Sequence, residues 1–189
     1  RDRLRSRGLG DVYKRQVQRA QKYIEDGNRW VVEMDLSKFF DRVNHDILMD
    51  RVSRVIDDKA ILKLIRRYLN AGIMEDGLVS PRLEGVPQGS PLSPLLSNIM
   101  LTELDRELEE RGLNHVRYAD DCNIYVKSEK AAQRVLTNIT KYVEGTLKLR
   151  VNRDKSGTFR PRDSVFLGYT FSKANCTRTV SYTHLRAHE

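Results

Sequence analysis

Apolar residues recur along this 189-residue chain in two rhythms, one helical and one alternating, and their order outlines a mixed domain. From Val17, the run 17-VQRAQKYIEDG-27 has helical spacing, and Gly27 is placed to close it. The next segment, 30-WVVEMDL-36, reads as a strand with aromatic and β-branched residues at its start. Asn44 is a good N-cap, with Asp46 in the first turn. It predicts a helix over 45–56 with Ile47, Leu48, Val52, Val55 and Ile56 on one face. A second helix over 59–72 ends at Gly72, and 73–86 reads as a hairpin around Asp76-Gly77.

Ser93 as N-cap and Pro94 at the first helical position predict another helix, ended by Gly112. Its buried face is Leu95, Leu96, Ile99, Met100, Leu104 and Leu108. Two short strands at 115–119 and 122–127 follow. Ser128 caps a helix through Gly145 whose inner face is Ala132, Val135, Leu136, Ile139 and Val143. Strands at 147–151 and 164–171 complete the pattern, with no internal repeat, low-complexity tract or long linker. The fold class is α+β: a small antiparallel sheet with helices packed on one face.

Composition narrows the setting. The length suits one domain with a real core, and 39% hydrophobic with 32% charged residues is an ordinary globular balance. No apolar run approaches the roughly 20 residues of a membrane span. No apolar core of a leader follows the basic N-terminus. A cytoplasmic protein with no membrane partner is expected. Cys122 and Cys176 have no metal-type spacing and read as reduced thiols. The net charge of +8 favours a polyanionic partner. However, residues 1–16 carry six Lys/Arg against Asp2 and Asp11, so half of the excess sits in a short head. Charge alone leaves a merely basic protein as open as a nucleic-acid binder.

The chemistry sits in 117-RYADDCNIYV-126, where Asp120 and Asp121 interrupt two strand-like runs. Strands avoid Asp, and two adjacent like charges repel. Asp35 ends the earlier strand. If the strands are neighbours, three carboxylates meet at one sheet edge, an arrangement that a hard cation such as Mg2+ would relieve. Two such ions suit an in-line phosphoryl displacement. Phe39 reads as core, and Phe40 could stack on a sugar or base. Gln88-Gly89 lies in a Pro/Gly loop before a helix and could face an anion, although such a triplet alone is usually only a loop. Lys155, in 152-NRDKSG-157, could approach a phosphate or simply be solvated. His45 reads as helix-start structure and His115 as surface.

Five ordered segments then carry a resemblance: 33-EMDLSKFFDRVNHDIL-48, 86-VPQGSPLSPLLSNIML-101, 117-RYADD-121, 147-LKLRVNRDKSG-157 and 165-VFLGYTF-171. Together they resemble the palm of a reverse transcriptase of the group II intron-encoded, retron-type bacterial class, over roughly residues 17–175. The resemblance implies a right-hand polymerase palm that adds dNTPs to a DNA primer on an RNA template, with group II intron RNA as a further partner. It implies that Asp35, Asp120 and Asp121, with the Leu36 carbonyl, bind two Mg2+ ions, Mn2+ being a possible substitute. Phe40 would be the steric gate under the incoming sugar, Gln88 and Gly89 would lie along the nucleotide and template pair, and Lys155 would protonate pyrophosphate. Phe166, Leu167 and Gly168 would form the primer grip.

The resemblance has edges. Residues 1–16 and most of 176–189, including 180-VSYTHLRAHE-189, show no such resemblance and are expected to be linker-derived ends. The upstream fingers motifs, the thumb and any endonuclease module are not found. The chain is therefore expected to be a palm with a remnant of the fingers and to polymerise poorly alone. Apolar surface is expected to be exposed at the helix from Val17 and near 164–171. An intron RNA-binding maturase scaffold is the alternative, as is a retron or CRISPR-associated subclass. A nucleotidyl cyclase would need a Gly-Gly-Asp/Glu turn at 118–121 and no Pro-Gln-Gly loop, and it fails on both.

Overall fold

The computed structural model describes residues 9–71, 73–75, 78–80, 84–87, 91–171 and 176–178. Its centre is a four-stranded sheet in the order β4 (Asn114–Tyr118), β5 (Asp121–Val126), β1 (Trp30–Met34) and β6 (Gly157–Phe159). Strand β1 lies antiparallel to β5, with Trp30 opposite Val126 and Met34 opposite Cys122. Successive side chains point to opposite faces. Val32, Met34, Cys122, Ile124 and Val126 face one core with Leu96, Met100, Leu104 and Leu108 of α5 (Leu92–Glu110). Ala132, Val135, Ile139 and Val143 of α6 (Glu129–Gly145) fill the same core.

The other face is also covered. Val31, Val116 and Tyr125 pack with Val17, Ala20 and Ile24 of α1 (Leu9–Glu25) and with Phe166 and Phe171. The α+β class with its small antiparallel sheet stands, but helices flank both faces rather than one. Helix α1 begins at Leu9, where the sequence shows no clean apolar period. Val17, Ala20 and Ile24 pack with Phe166 and Phe171 and cover part of the apolar surface expected to be bare, whereas Val165 is 54% exposed as expected. Among the described residues no helix is long and apolar enough to cross a membrane.

Local chemistry explains most element ends. Asn44 Oδ1 accepts from the backbone N–H groups of Asp46 and Ile47, both at 3.0 Å, and starts α3 (His45–Ser53). Asp58 does the same for α4 (Lys59–Asn70). Ser128 accepts from the Ala131 N–H at 3.3 Å to start α6, as its position predicts. The hairpin predicted after Gly72 is present as β2 (Ile73–Glu75) and β3 (Leu78–Ser80), while its Asp76-Gly77 turn lies outside the described residues.

Several expectations are corrected. Helix α3 ends at Ser53, so Val55 is 86% exposed. Helix α5 starts at Leu92, because the Ser93 hydroxyl is not a cap. It donates to the Pro87 carbonyl and pairs with the Tyr68 hydroxyl at 2.9 Å. Leu95 faces solvent. His115 is buried, with Nδ1 3.2 Å from the Leu113 carbonyl. Residues 147–151 bury Leu147, Leu149 and Val151 in alternation but form no strand. Lys148 takes a positive φ of 56° that breaks the ladder, and only Val151 bridges to Leu36. Strand β6 occupies the sheet edge instead. The run 164–171 is split by a tight turn before β7 (Tyr169–Phe171), which pairs with β8 (Cys176–Arg178) in the segment expected to be foreign tail. The short helix α2 (Phe39–Arg42) carries no signal of its own.

Gly85 ties the loop before α5 to α2. Its N–H donates to the Val43 carbonyl at 2.7 Å, and the Val86 N–H donates to the Phe40 carbonyl at 2.6 Å. Its own carbonyl accepts from His45 Nε2 at 2.6 Å. At its φ of 86°, an added Cβ would lie 2.8 Å from backbone atoms of Asp41 and Phe40. Backbone cannot yield cheaply there, and the positive φ strains any L-residue. Gly85→Ala is expected to cost roughly 3 kcal/mol or more of stability, read by urea unfolding. A loss below about 1 kcal/mol would contradict the close packing.

Candidate active site

Asp35 is the first residue past β1. Met34 pairs with Cys122, so continuing the register sets Asp35 opposite Asp121. Like charges directly opposed on neighbouring strands destabilise the pair. Asp35 is nevertheless held firmly. Asn152 Nδ2 donates to its carboxylate at 3.0 Å, and the Asn152 N–H donates to its carbonyl at 2.9 Å. The Asp35 N–H donates to Ser156 Oγ at 3.0 Å. Asn152 Oδ1 accepts from the Asp154 N–H at 3.2 Å, which orients the amide and aims its nitrogen at Asp35. Asn152 and Ser156 are site residues that the sequence reading passed over. Their signal was the turn-forming character of 152-NRDKSG-157.

Asp120 and Asp121 arise from the hairpin that joins β4 to β5. Tyr118 pairs with Asp121, so Ala119 and Asp120 form a two-residue loop, and Ala119 takes a φ of 55°. A cleft of about 220 Å³ brings together Asp35, Asp121, Lys155 and Phe166, with Glu33 and Asn123 beside them. Asp120 stands in the turn next to this lining. Partial burial raises the Asp121 pKa above its ordinary value, the charges of Asp120 and Asp35 raise it further, and Lys155 works the other way.

The primer-grip candidates form a tight turn. Phe166 and Tyr169 exchange both backbone hydrogen bonds, at 3.0 and 2.9 Å, while Leu167 and Gly168 take φ values of 53° and 75°. Two consecutive positive φ values match the twist of a hairpin. Phe166 is buried, and the Val165 N–H donates to Glu33 Oε1 at 3.1 Å. Phe40, on α2, meets Phe39 edge-on with ring centroids 5.4 Å apart and is only partly buried, whereas Phe39 is core. Phe40 is not part of the cleft lining. Gln88 and Gly89 lie outside the described residues.

The donors suit a hard divalent cation. Carboxylates face one another under mutual repulsion, and the Leu36–Val151 bridge turns the Leu36 carbonyl away from Val151: its flanking bonds run from Ser37 N–H to Arg150 and from Asn152 N–H to Asp35. Among the described residues no three or more Asp, Glu, His or Cys side chains stand close enough together to hold an ion. Mg2+ commonly relies on one or two carboxylates plus substrate phosphates rather than an all-protein cage. A larger cavity of about 410 Å³, lined by Arg29, Arg160, Arg162 and Phe171, opens at the opposite, Trp30 end of β1, away from these groups.

The sheet, its hairpin of carboxylates and the flanking helices define the palm of a right-hand polymerase. The chain belongs to the reverse transcriptase (RNA-dependent DNA polymerase) family, whose model matches residues 6–171. It is 37% identical over 180 residues to Protein YkfC of Escherichia coli, covering 77% of this chain and 47% of that protein. It is 41% identical over 80 residues to the group II intron-encoded protein LtrA of Lactococcus lactis, covering 42% of this chain and 13% of LtrA. Its fold is similar to that of telomerase from Candida tropicalis solved with a fragment of telomeric RNA, with TM-score 0.71 at 14% identity. That match covers 95% of this chain and 36% of the telomerase chain. The chain thus spans about half the length of YkfC and much less of LtrA.

The sign of the Asp121 shift yields a test. A raised folded pKa means that the charged form is disfavoured in the fold. Its stabilising contribution is full below the ordinary value of 3.8 and is lost as pH rises through the raised one. Asp121→Asn is therefore expected to be more stable than the parent at pH 7, by less than about 1 kcal/mol because the group is only partly shielded and solvent screens it. The difference should vanish in acid. Thermal melts from pH 3 to pH 8 would show it, and an Asn variant less stable at neutral pH would refute the assignment.

Proposed function

We propose that this chain is the polymerising core of a group II intron-encoded reverse transcriptase, joining a dNTP to a primer 3′-OH on an RNA template. The observation that carries the reading is the meeting of Asp35, Asp121, Lys155 and Phe166 in one cleft within a family-matched palm. Asp35, Asp121 and Asp120, with the Leu36 carbonyl, would hold Mg2+ or Mn2+, which supplies charge neutralisation at the attacking and leaving oxygens.

The chain's own residues do the remainder. The primer 3′-hydroxyl loses its proton to water, its oxygen bonds to the α-phosphorus, the bond to the β-phosphate's bridging oxygen breaks, and pyrophosphate leaves. Lys155 lines the cleft beside Asp121 and is placed to neutralise that leaving group and to give it a proton. The Phe166–Gly168 turn, moored by a buried ring, offers backbone to the primer end. Phe40 follows the Ser37–Lys38 turn just past Asp35 and Leu36; it is outside the cleft lining, and its role as steric gate against a 2′-hydroxyl would rest on the family resemblance. Gln88 and Gly89 lie outside the described residues; the family resemblance would assign them to the nucleotide and template pair. Intron RNA as a partner rests on the likeness to LtrA.

Primer extension on an RNA template tests this, with the chain placed between the fingers and thumb of a relative. Asp35→Asn and Asp120→Asn are each expected to lower the rate at least about 100-fold, because several kcal/mol of transition-state stabilisation would go. Phe40→Ala should raise ribonucleotide incorporation relative to deoxynucleotide by about 10-fold or more. Extension that survives both Asp substitutions would sink the proposal. A folded chimaera that binds intron RNA but extends no primer would favour the scaffold role.

A further inference from the structure

We propose that Arg117 is a positioning residue that sets the Asp120–Asp121 turn through the Ala119 carbonyl, an inference resting on the polymerase reading above. Arg117 lies on β4, with its side chain on the α5 side of the sheet and 11% exposed. Nε and Nη2 donate to the two Asp105 oxygens at 2.7 and 2.6 Å, a bidentate pair. Nη1 donates to Asn98 Oδ1 at 3.2 Å and to the Ala119 carbonyl at 2.8 Å. Asn98 and Asp105 are seven residues apart on α5, two turns along the same helix face. The guanidinium is thus fixed at two points on one helix, and the Nη1 group that reaches Asn98 also holds the turn.

Geometry gives that last bond its role. Ala119 occupies a φ of 55°, a region that costs an L-residue roughly 1–2 kcal/mol. A turn held only by its own strands has reason to relax. The Ala119 carbonyl belongs to the peptide that leads into Asp120, so fixing its oxygen fixes the direction in which Asp120 leaves the turn. Asp105 has a second effect. An arginine three residues from Asp120 would otherwise be free to pair with the catalytic carboxylates and quench them. Held by Asp105, it braces the turn from the far face of the sheet without placing positive charge in the cleft. His115 Nε2 lies 3.9 Å from the same Asp105 oxygen and packs behind the pair.

Arginine and lysine differ here, because an ammonium can keep its charge against Asp105 but cannot also reach the Ala119 carbonyl in a forked geometry. The test is Mn2+ binding to the full 189-residue chain by electron paramagnetic resonance, beside thermal melting. Arg117→Lys and Asp105→Asn are expected to weaken Mn2+ binding roughly 10-fold or more and to alter the spectrum of the bound ion, while a cooperative melt is kept. If Arg117→Lys fails to fold, Asp105→Asn alone carries the test, since it keeps the side-chain volume and frees the guanidinium to swing. Wild-type affinity and spectrum in a folded variant of either kind would overturn the inference. Asp35→Asn and Asp120→Asn separate the layers. If they abolish Mn2+ binding while the Arg117 and Asp105 variants do not change it, only the role of Arg117 fails. If they leave binding unchanged, the metal reading fails and this inference with it.

Discussion

The antiparallel pairing of β1 with β5 is the constraint on which the rest of this molecule depends. It sets Asp35 against Asp121 and, by the same alternation, sends Val32, Met34, Cys122 and Ile124 into the core beneath α5 and α6. Strand register is all or nothing in such a sheet. A slip of one residue would turn the carboxylates into the core and the aliphatic set into the cleft. The burial of five consecutive residues from Cys122 to Val126 therefore does more than stabilise the fold. It makes the juxtaposition of like charges the lesser penalty, and the site survives because the core will not let the strands move.

Around that pairing the chain takes uncommon backbone conformations at its turns. Lys38 precedes α2 with a φ of 48°, Ala119 opens the carboxylate hairpin, and Leu167 sits in the turn beside Phe166. Residues held in this region persist when their surroundings over-determine them. Here the surroundings are visible: the Arg117 fork behind Ala119, and the paired Phe166–Tyr169 bonds around Leu167. Asp35 does not take a positive φ, and it is instead clamped from outside by Asn152 and Ser156.

Much of this was legible in the chain because the signals were local. Asn44 and Ser128 are caps whose hydrogen bonds involve only the next three residues, and the alternation of β1 and β5 is a two-residue pattern read directly. What escaped was set by tertiary packing. Ser93 looks like a cap, yet its hydroxyl is spent on Pro87 and Tyr68, which are distant or folded back onto it. The period-two run at 147–151 is real in burial but not in pairing, since one left-handed residue at Lys148 redirects its hydrogen bonds. His115 looked like a surface residue because nothing local shows that α5 covers it. Of the site, the carboxylates and Lys155 could be named from the sequence. Asn152 and Ser156 could not, because they act on Asp35 more than a hundred residues away, and Arg117 could not, because nothing local shows that α5 supplies Asn98 and Asp105 to hold it.

Strand β1 also fixes how far the Phe166–Gly168 turn stands from the carboxylates. Glu33 and Asp35 are two residues apart and project to the same side, separated by about 7 Å along an extended strand. Glu33 accepts from the Val165 N–H and so holds the start of the 165–168 turn, while Asp35 faces Asp121. Phe166 then plugs the turn into the cluster that α1 builds on this side of the sheet. One strand thus carries both the anchor of the turn and the first carboxylate. The spacing between them follows from the repeat of the backbone and not from any adjustable loop.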